Sequence, residues 1–334
     1  MTLRKEKTTG KKNTAIEYIR ALSMIYIVGY WHLFNYTNQF PGYFNDVTFG
    51  LAMLALSLFV FISGYLNDIK KLGNEKENAR SFFRARMIRI YPPYLAALCT
   101  FRWLHLADTW TLLKSGLCLS MFWTPAAPTL WFITMMMLFY FITPWLKAQA
   151  MQPFHFTIAV LCFCSILYGY GQLTQTLDLR VLRYAPIYAC GLFIGSNPPH
   201  RLQLPLWIPL IALPPTFILG SRSFFYHSDS SIDLTPCLLA ASLIVFLFFM
   251  RTLQNSSTPR LIHILSYASY FMYLFHRPLF AVFVRSWFPA HGIKQLLYLG
   301  GCCLPIIVVI SYAGQYLYDK TVHFLTARSI STHD

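Results

Sequence analysis

Long apolar runs recur along the chain from residue 16 to residue 318, and they constrain its fold more than any other feature. A helix needs about 20 largely apolar residues to cross the hydrocarbon core of a membrane. Measured against that length, the sequence predicts ten spans, at 16–36, 48–66, 87–106, 129–147, 154–171, 182–196, 205–220, 235–251, 261–286 and 294–318. The run at 111–124 is short and interrupted by polar residues, which predicts a re-entrant or interfacial helix.

The composition excludes a soluble enzyme. Only 12% of the 334 residues are charged and 56% are hydrophobic, whereas about a quarter of the residues of a soluble domain are charged. So few charges cannot cover a water-facing surface, and so many apolar runs exceed what a single membrane anchor needs. We therefore expect an all-α, polytopic bundle of about ten transmembrane helices.

The basic residues predict how the bundle is oriented. The net charge of +15 is concentrated in the N-terminal tail and in short connections between apolar runs. If the N-terminus is cytoplasmic, 18 Lys and Arg residues fall on the inner side and six on the outer side. Cytoplasmic loops carry such an excess, so we expect both termini in the cytoplasm and no nucleic-acid partner.

The same pattern predicts one membrane domain between two tails. Residues 1–14 form a basic cytoplasmic tail, 15–318 the transmembrane domain and 319–334 a C-terminal cytoplasmic tail. The first apolar run contains Arg20 and His32 and is followed by no small-residue cleavage site, so we interpret it as a retained helix rather than a signal peptide.

The eight cysteines lie almost all within apolar segments, and no C-x-x-C spacing occurs. We expect buried free thiols that act as small apolar side chains. Neither a disulfide framework nor a metal site is predicted.

Ionisable residues inside predicted spans are the first candidates for chemistry, because a charge in the membrane is costly. The first span carries Arg20 and His32, and the ninth carries His276. At 1.5 Å per residue, the two histidines lie about 25 and 22 Å from the cytoplasmic ends of their helices. We expect them at similar height in the outer half, where histidine could accept a proton. The alternative is that each is a packed or interfacial residue.

A second candidate site is the basic cluster at 82–94. Arg86 and Arg89 are three residues apart and share a helix face, whereas Arg84 lies off that face. The cluster could bind a phosphorylated ligand through bidentate contacts or serve only as a positive-inside anchor. Pro92 and Pro93 are predicted to kink or restart the helix.

These motifs together resemble acyltransferase family 3, a family of integral-membrane acyltransferases, over residues 15–318. The resemblance is carried by five motifs in order: Ile19-Arg20-Ala21-Leu22 leading to His32, Leu58-Phe59-Val60-Phe61-Ile62-Ser63-Gly64-Tyr65, Arg86-x-x-Arg89-Ile90-Tyr91-Pro92, Leu130-Trp131-Phe132 with Phe139-Tyr140 and Pro144, and Ser266-Tyr267-x-Ser269-Tyr270 with Tyr273-Leu274-Phe275-His276-x-Pro278.

The resemblance implies transfer of an acyl group, usually acetyl, from cytoplasmic acetyl-CoA to a hydroxyl of a cell-surface glycan. The acceptor would be a polysaccharide such as lipopolysaccharide or capsule, or its lipid-linked precursor, at the inner membrane of a bacterium. The resemblance assigns catalysis to Arg20 and His32, with His276 as a further catalytic candidate and His32 as the expected base. Its basic motif maps onto Arg86 and Arg89, and we expect these two residues, together with Arg84 and Ser63, to bind the donor.

Two departures from the family pattern concern this site. Many members carry a Glu in the fourth span, where this chain has Met135-Met136-Met137. Eleven residues separate Arg20 from His32, where the family usually has ten. On a regular helix this step of twelve leaves His32 about 120° away from the face of Arg20. We therefore predict a wide π-helical turn between about Val28 and His32, with Gly29 the favoured position and the His32 ring near His276.

A rival interpretation is a proton-coupled transporter or flippase, because intramembrane Arg and His residues also suit a carrier. Against it, the sequence has no evident two-half repeat. The marked polar residues are also concentrated in the first, third and ninth spans.

Overall fold

The computed structural model describes residues 13–37, 39–67, 75–197, 211, 234–253 and 256–331, and these residues form helices joined by turns and loops, with no strand among them. The helices are α1 Thr14–Tyr26, α2 Asp46–Tyr65, α3 Glu75–Trp103, α4 Thr109–Gly116, α5 Trp131–Gln149, α6 Pro153–Thr174, α7 Arg180–Ser196, α8 Thr235–Leu253, α9 Arg260–Ser286, α10 Gly292–Leu296 and α11 Leu304–Ser331. A π-helical turn, Ile27–His32, extends α1, and a second one, Leu297–Cys303, joins α10 to α11.

The predicted spans coincide with these helices, except for 205–220, which lies outside the described residues apart from residue 211. Among the described helices, five are long and apolar enough to cross a membrane: Asp46–Tyr65, Trp131–Gln149, Pro153–Thr174, Thr235–Leu253 and the continuous stretch Gly292–Leu325. The predicted re-entrant segment contains only the short helix α4. The structure is thus a helical bundle with more than one candidate membrane span.

Local sequence explains where the first helices begin. The Asn13 side chain accepts a hydrogen bond from the Ala15 amide at the start of α1. At the start of α2, the Asn45 side chain accepts from the amides of Val47 and Thr48, while the Thr48 hydroxyl accepts from the Asn45 amide. Such caps satisfy amides that have no partner within the helix.

Helices α1, α3 and α9 run in the same direction through the bundle. Glu17 of α1 contacts His263 near the start of α9, and His32 contacts His276 further along both. Tyr270 of α9 donates to the carbonyl of Ile90 in α3. Candidate residues from three helices therefore lie along one side of the core.

Helices α2 and α7 pack backbone against backbone through glycines. A Cβ atom at Gly191 would lie 2.1 Å from the carbonyl oxygen of Phe61, and one at Gly195 would lie 2.2 Å from that of Tyr65. A Cβ at Gly64 would in turn lie 2.2 Å from the carbonyl oxygen of Tyr188. Gly191 and Gly195 form a GxxxG pair, a spacing that permits close helix contact in membranes.

Helix α3 continues through Pro92 and Pro93, so the predicted restart is wrong. A proline at position 92 leaves the carbonyl of Ile88 without its usual amide donor. The Tyr318 hydroxyl of α11 donates to this carbonyl instead. A donor from a neighbouring helix therefore compensates the missing bond, as membrane helices allow.

The cysteines are all free, as expected, but the expectation that they are buried was wrong for most of them. Only Cys303 is buried, whereas Cys99, Cys162 and Cys302 are exposed. The apolar character of their helices fits the membrane as well as the protein core, so hydropathy alone did not distinguish the two.

The α2–α7 contact generates a prediction about stability. We expect Gly191→Ala to lower the free energy of unfolding by about 1–3 kcal/mol, because the new methyl group meets a backbone carbonyl that cannot move aside. The measurement is the thermal unfolding midpoint of the purified protein in detergent.

The matched control is Gly169→Ala in α6, where a Cβ atom meets nothing within 4 Å. We expect this variant to unfold within about 0.5 kcal/mol of the wild type. Equal midpoints for the two variants would contradict the close α2–α7 contact.

Candidate active site

A cavity of about 590 Å³ lies between α1, α2, α3, α5, α9 and α11. Along α5 its lining extends from Tyr140 to Phe132, which is about 12 Å at 1.5 Å per residue. Along α9 it extends from His263 to Tyr273, about 15 Å. The cavity is therefore elongated along the helix axes, with one end near the helix starts of α1 and α9.

Three arginines line this cavity: Arg20 from α1, and Arg86 and Arg89 from α3. Arg86 and Arg89 share a helix face, as the spacing predicts. Within the described residues, none of the three forms an ion pair with a carboxylate. Guanidinium groups without a carboxylate partner are suited to bind phosphate groups.

Arg84 was predicted beside these residues, and the structure separates it from them. It does not line the cavity and is exposed on the surface of α3, next to Arg80, Ser81 and Phe83. Two residues along a helix correspond to a rotation of about 200°, which directs Arg84 away from Arg86.

Arg86 is held in position by its neighbours. Its Nη2 donates to the Asn67 side-chain oxygen at 2.6 Å, and its guanidinium lies 5.3 Å from the ring centre of Tyr140 and 5.4 Å from that of Phe82. Asn67 in turn donates to the Tyr188 hydroxyl at 2.5 Å. The buried Asn67 amide is thus a positioning residue that sequence reasoning missed. Its position just after the Ser63-Gly64-Tyr65 motif was the available signal.

Ser63 of α2 also lines the cavity, four residues before Asn67. Two carboxylates, Glu17 and Asp319, line it as well. Glu17 contacts Nδ1 of His263 at 2.9 Å, and Asp319 accepts hydrogen bonds from Tyr267 at 2.6 Å and Gln315 at 2.8 Å. The fourth-span position that is often Glu in the family is occupied by methionines, and Met136 lines the cavity there.

The π-helical turn predicted in the first span is confirmed. It covers Ile27–His32 and contains Gly29. A Cβ atom at Gly29 would lie 2.9 Å from a methyl of Leu304, so the turn packs closely against the start of α11. The extra residue between Arg20 and His32 is absorbed here, and His32 faces the bundle interior.

The predicted proximity of the two histidines is also confirmed. The rings of His32 and His276 lie 4.8 Å apart between their centres. Neither histidine lines the cavity with Arg20, Arg86 and Arg89. Tyr273 lines it, and its ring centre lies 6.0 Å from that of His276. The histidine pair therefore lies just beyond the end of the cavity, separated from it by Tyr273.

Arg277 completes the histidine cluster. Its Nη2 lies 3.4 Å from Nδ1 of His32. Two buried nitrogens of this cluster, Nε2 of His276 and Nε of Arg277, have no hydrogen-bond partner among the described residues. Buried polar atoms are rarely left unpaired without a functional reason. Arg277 carries a charge inside the ninth predicted span, and this signal could have placed it among the site residues.

We find no group of three or more His, Cys, Asp and Glu residues that could hold a metal ion, within the part of the chain that the structure describes. The polar chemistry of the region is therefore carried by guanidinium, imidazole, amide and carboxylate side chains.

Comparison with known proteins identifies the family. The sequence profile of acyltransferase family 3, described as an acyltransferase domain, matches residues 13–314. Searches of curated proteins and of solved structures found no match. The matched range includes both histidines and every cavity-lining residue except Gln315 and Asp319 of α11. The chain therefore belongs to acyltransferase family 3.

Proposed function

We propose that this membrane acyltransferase transfers an acetyl group from acetyl-CoA to a hydroxyl of a surface polysaccharide or of its lipid-linked precursor. In the proposal the donor enters from the cytoplasm and the acceptor approaches from the outer side. Lipopolysaccharide, capsule, a lipid-linked sugar and a small glycoside all fit this proposal as acceptors.

The observation that supports the proposal most strongly is that the arginines and the histidine pair lie apart along the length of the cavity. Arg20, Arg86 and Arg89 line an elongated cavity, and Tyr273 connects its far end to the histidine pair. CoA carries its phosphates at one end and its thioester at the other. A molecule of this kind, bound by its phosphates at the arginines, would direct the thioester toward the histidines.

The topology belongs to the same proposal. We propose ten membrane helices, with a cytoplasmic tail at 1–14, the transmembrane domain at 15–318 and a second cytoplasmic tail at 319–334. Both termini then face the cytoplasm of a bacterium, and the protein lies in the inner membrane. The parallel course of α1, α3 and α9 supports an arrangement in which these helices all run outward.

Acyl transfer needs a base that accepts the hydroxyl proton and donors that stabilise the oxyanion. The cluster of His32, His276 and Arg277 offers both kinds of group. Two of its buried nitrogens, Nε2 of His276 and Nε of Arg277, have no partner in the described part of the chain and could bind reacting atoms.

The deciding experiment combines two measurements. The purified protein in lipid nanodiscs should release free CoA from acetyl-CoA only when a glycan acceptor is supplied, and mass spectrometry should detect acetyl groups on surface glycans only in cells that carry the gene. Solute transport without release of CoA would favour the transporter instead.

The arginines generate a prediction about donor affinity. Arg86→Ala and Arg89→Ala should each weaken acetyl-CoA binding about 10- to 100-fold, because a hydrogen bond to a charged group contributes about 1.5–3 kcal/mol. Lysine at either position should restore the affinity only in part, because the bidentate geometry is lost. Isothermal titration of the purified protein with acetyl-CoA measures the dissociation constants.

The chain offers a matched control for this series. Arg84→Ala removes the same charge from the same helix but outside the cavity, so its affinity should stay within about twofold of the wild type. If the Arg86→Ala/Arg89→Ala double variant binds acetyl-CoA normally, these arginines are membrane anchors and not donor-binding residues.

Asn67 generates a second prediction. Asn67→Ala should weaken acetyl-CoA binding about 10-fold, because Arg86 loses the oxygen that positions it. In the Arg86→Ala background the same substitution should have little further effect on affinity, because the free-energy effects of substitutions at two residues that act through one another do not add. Titration of the two single variants and the double variant measures this coupling, and fully additive losses would contradict a positioning role.

A further inference from the structure

We propose that His276 is the general base of the transfer and that His32 and Arg277 stabilise the oxyanion. This assignment rests on the proposed acyltransferase function and moves the role of base from His32, the residue that the sequence suggested, to His276. It is carried by the hydrogen-bond partners of the two rings.

The partners of His276 fix which nitrogen carries its hydrogen. Nδ1 lies 3.0 Å from the carbonyl oxygen of Met272 and 2.9 Å from that of Tyr273. Carbonyl oxygens only accept hydrogen bonds, so Nδ1 carries the hydrogen. The lone pair of the neutral ring is then on Nε2. This nitrogen is buried and has no partner in the described part of the chain.

The partner of His32 fixes the opposite arrangement. Its Nδ1 faces Nη2 of Arg277 at 3.4 Å. A guanidinium nitrogen only donates, so Nδ1 of His32 accepts and the hydrogen of the neutral ring is on Nε2. The lone pair of His32 is thus occupied by Arg277, and its second nitrogen is a donor. A ring in this state stabilises negative charge better than it accepts a proton.

Arg277 supplies positive charge to the same place. One of its nitrogens orients His32, while its Nε is buried and has no hydrogen-bond partner among the residues that the structure describes. The cluster therefore presents one proton acceptor, on His276, and two donors, on His32 and Arg277. Acyl transfer needs the same complement of groups.

The proposed step conserves atoms and electrons. Nε2 of His276 takes the proton of the acceptor hydroxyl as its oxygen attacks the thioester carbonyl carbon. The carbonyl oxygen gains negative charge and is stabilised by Nε2–H of His32 and by Arg277. The carbon–sulfur bond then breaks, and the thiolate takes the proton from His276. The products are the ester and free CoA.

Two amide substitutions separate the roles, because each copies one nitrogen of histidine. The side-chain nitrogen of asparagine takes the place of Nδ1, so His276→Asn can still donate to the Met272 and Tyr273 carbonyls but lacks the base. We expect its kcat to fall about 10²- to 10⁴-fold while the KM for acetyl-CoA stays within about threefold.

The side-chain nitrogen of glutamine takes the place of Nε2, so His32→Gln keeps the proposed donor. We expect His32→Ala to lose about 10²- to 10³-fold in kcat, the usual effect of removing one oxyanion donor. His32→Gln should recover at least about 10-fold over His32→Ala. If His32 were the base, glutamine and alanine would be equally inactive.

Acetyl-CoA release and acceptor acetylation are measured for all variants in nanodiscs, with acetyl-CoA titration as the test of folding. The assignment is overturned if His276→Asn binds acetyl-CoA and keeps kcat within about threefold of the wild type. It is equally overturned if His32→Gln binds acetyl-CoA but is no more active than His32→Ala. A wild-type protein that transfers no acyl group would instead refute the proposed function itself.

Discussion

The π-helical turn at Ile27–His32 decides where the polar groups of the first helix meet the rest of the bundle. A regular α-helix advances 100° per residue, so the step from Arg20 to His32 would direct the histidine about 120° away from the arginine. One additional residue in a wide turn removes this rotation. His32 is therefore within 4.8 Å of His276, ring centre to ring centre, while Arg20 lines the cavity nearer the start of the helix.

The position of the arginines depends on a different contact, between α2 and α7. Their glycines allow backbone to meet backbone, which places the end of α2 against Tyr188 of α7. Asn67, just beyond that end, donates to the Tyr188 hydroxyl and accepts from Arg86. A close helix contact in the core thus determines the direction of a charged side chain in the cavity. The charge remains available to a ligand because its fixed partner is a neutral amide.

The proposed mechanism separates anion binding from proton transfer. The cavity contains the guanidinium groups, and the histidine cluster begins beyond Tyr273, where buried nitrogens have no protein partners among the described residues. Such an arrangement suits a long donor with charged groups at one end and a reactive group at the other. It also keeps the reacting atoms among buried side chains, where preorganised donors stabilise negative charge more strongly than in water.

The sequence by itself determined the helical class, the position of almost every described helix, the family and the identity of all three arginines that line the cavity. It could do so because apolar length, the spacing of charges in a membrane and the 100° advance per residue are local properties. These properties even predicted the π-helical turn. The sequence did not distinguish Arg84 from its neighbours in function, and it did not identify Asn67 or the glycine contact.

Only the tertiary structure decided which side chains from different helices share a space and which atoms remain unpaired. The tautomer of each histidine depends on whether a carbonyl or a guanidinium faces Nδ1, and those partners come from the packing of α1 against α9. Hydropathy likewise could not tell a face that meets lipid from one that meets protein, because both environments are apolar. The roles of the residues therefore follow from packing geometry, which no local pattern encodes.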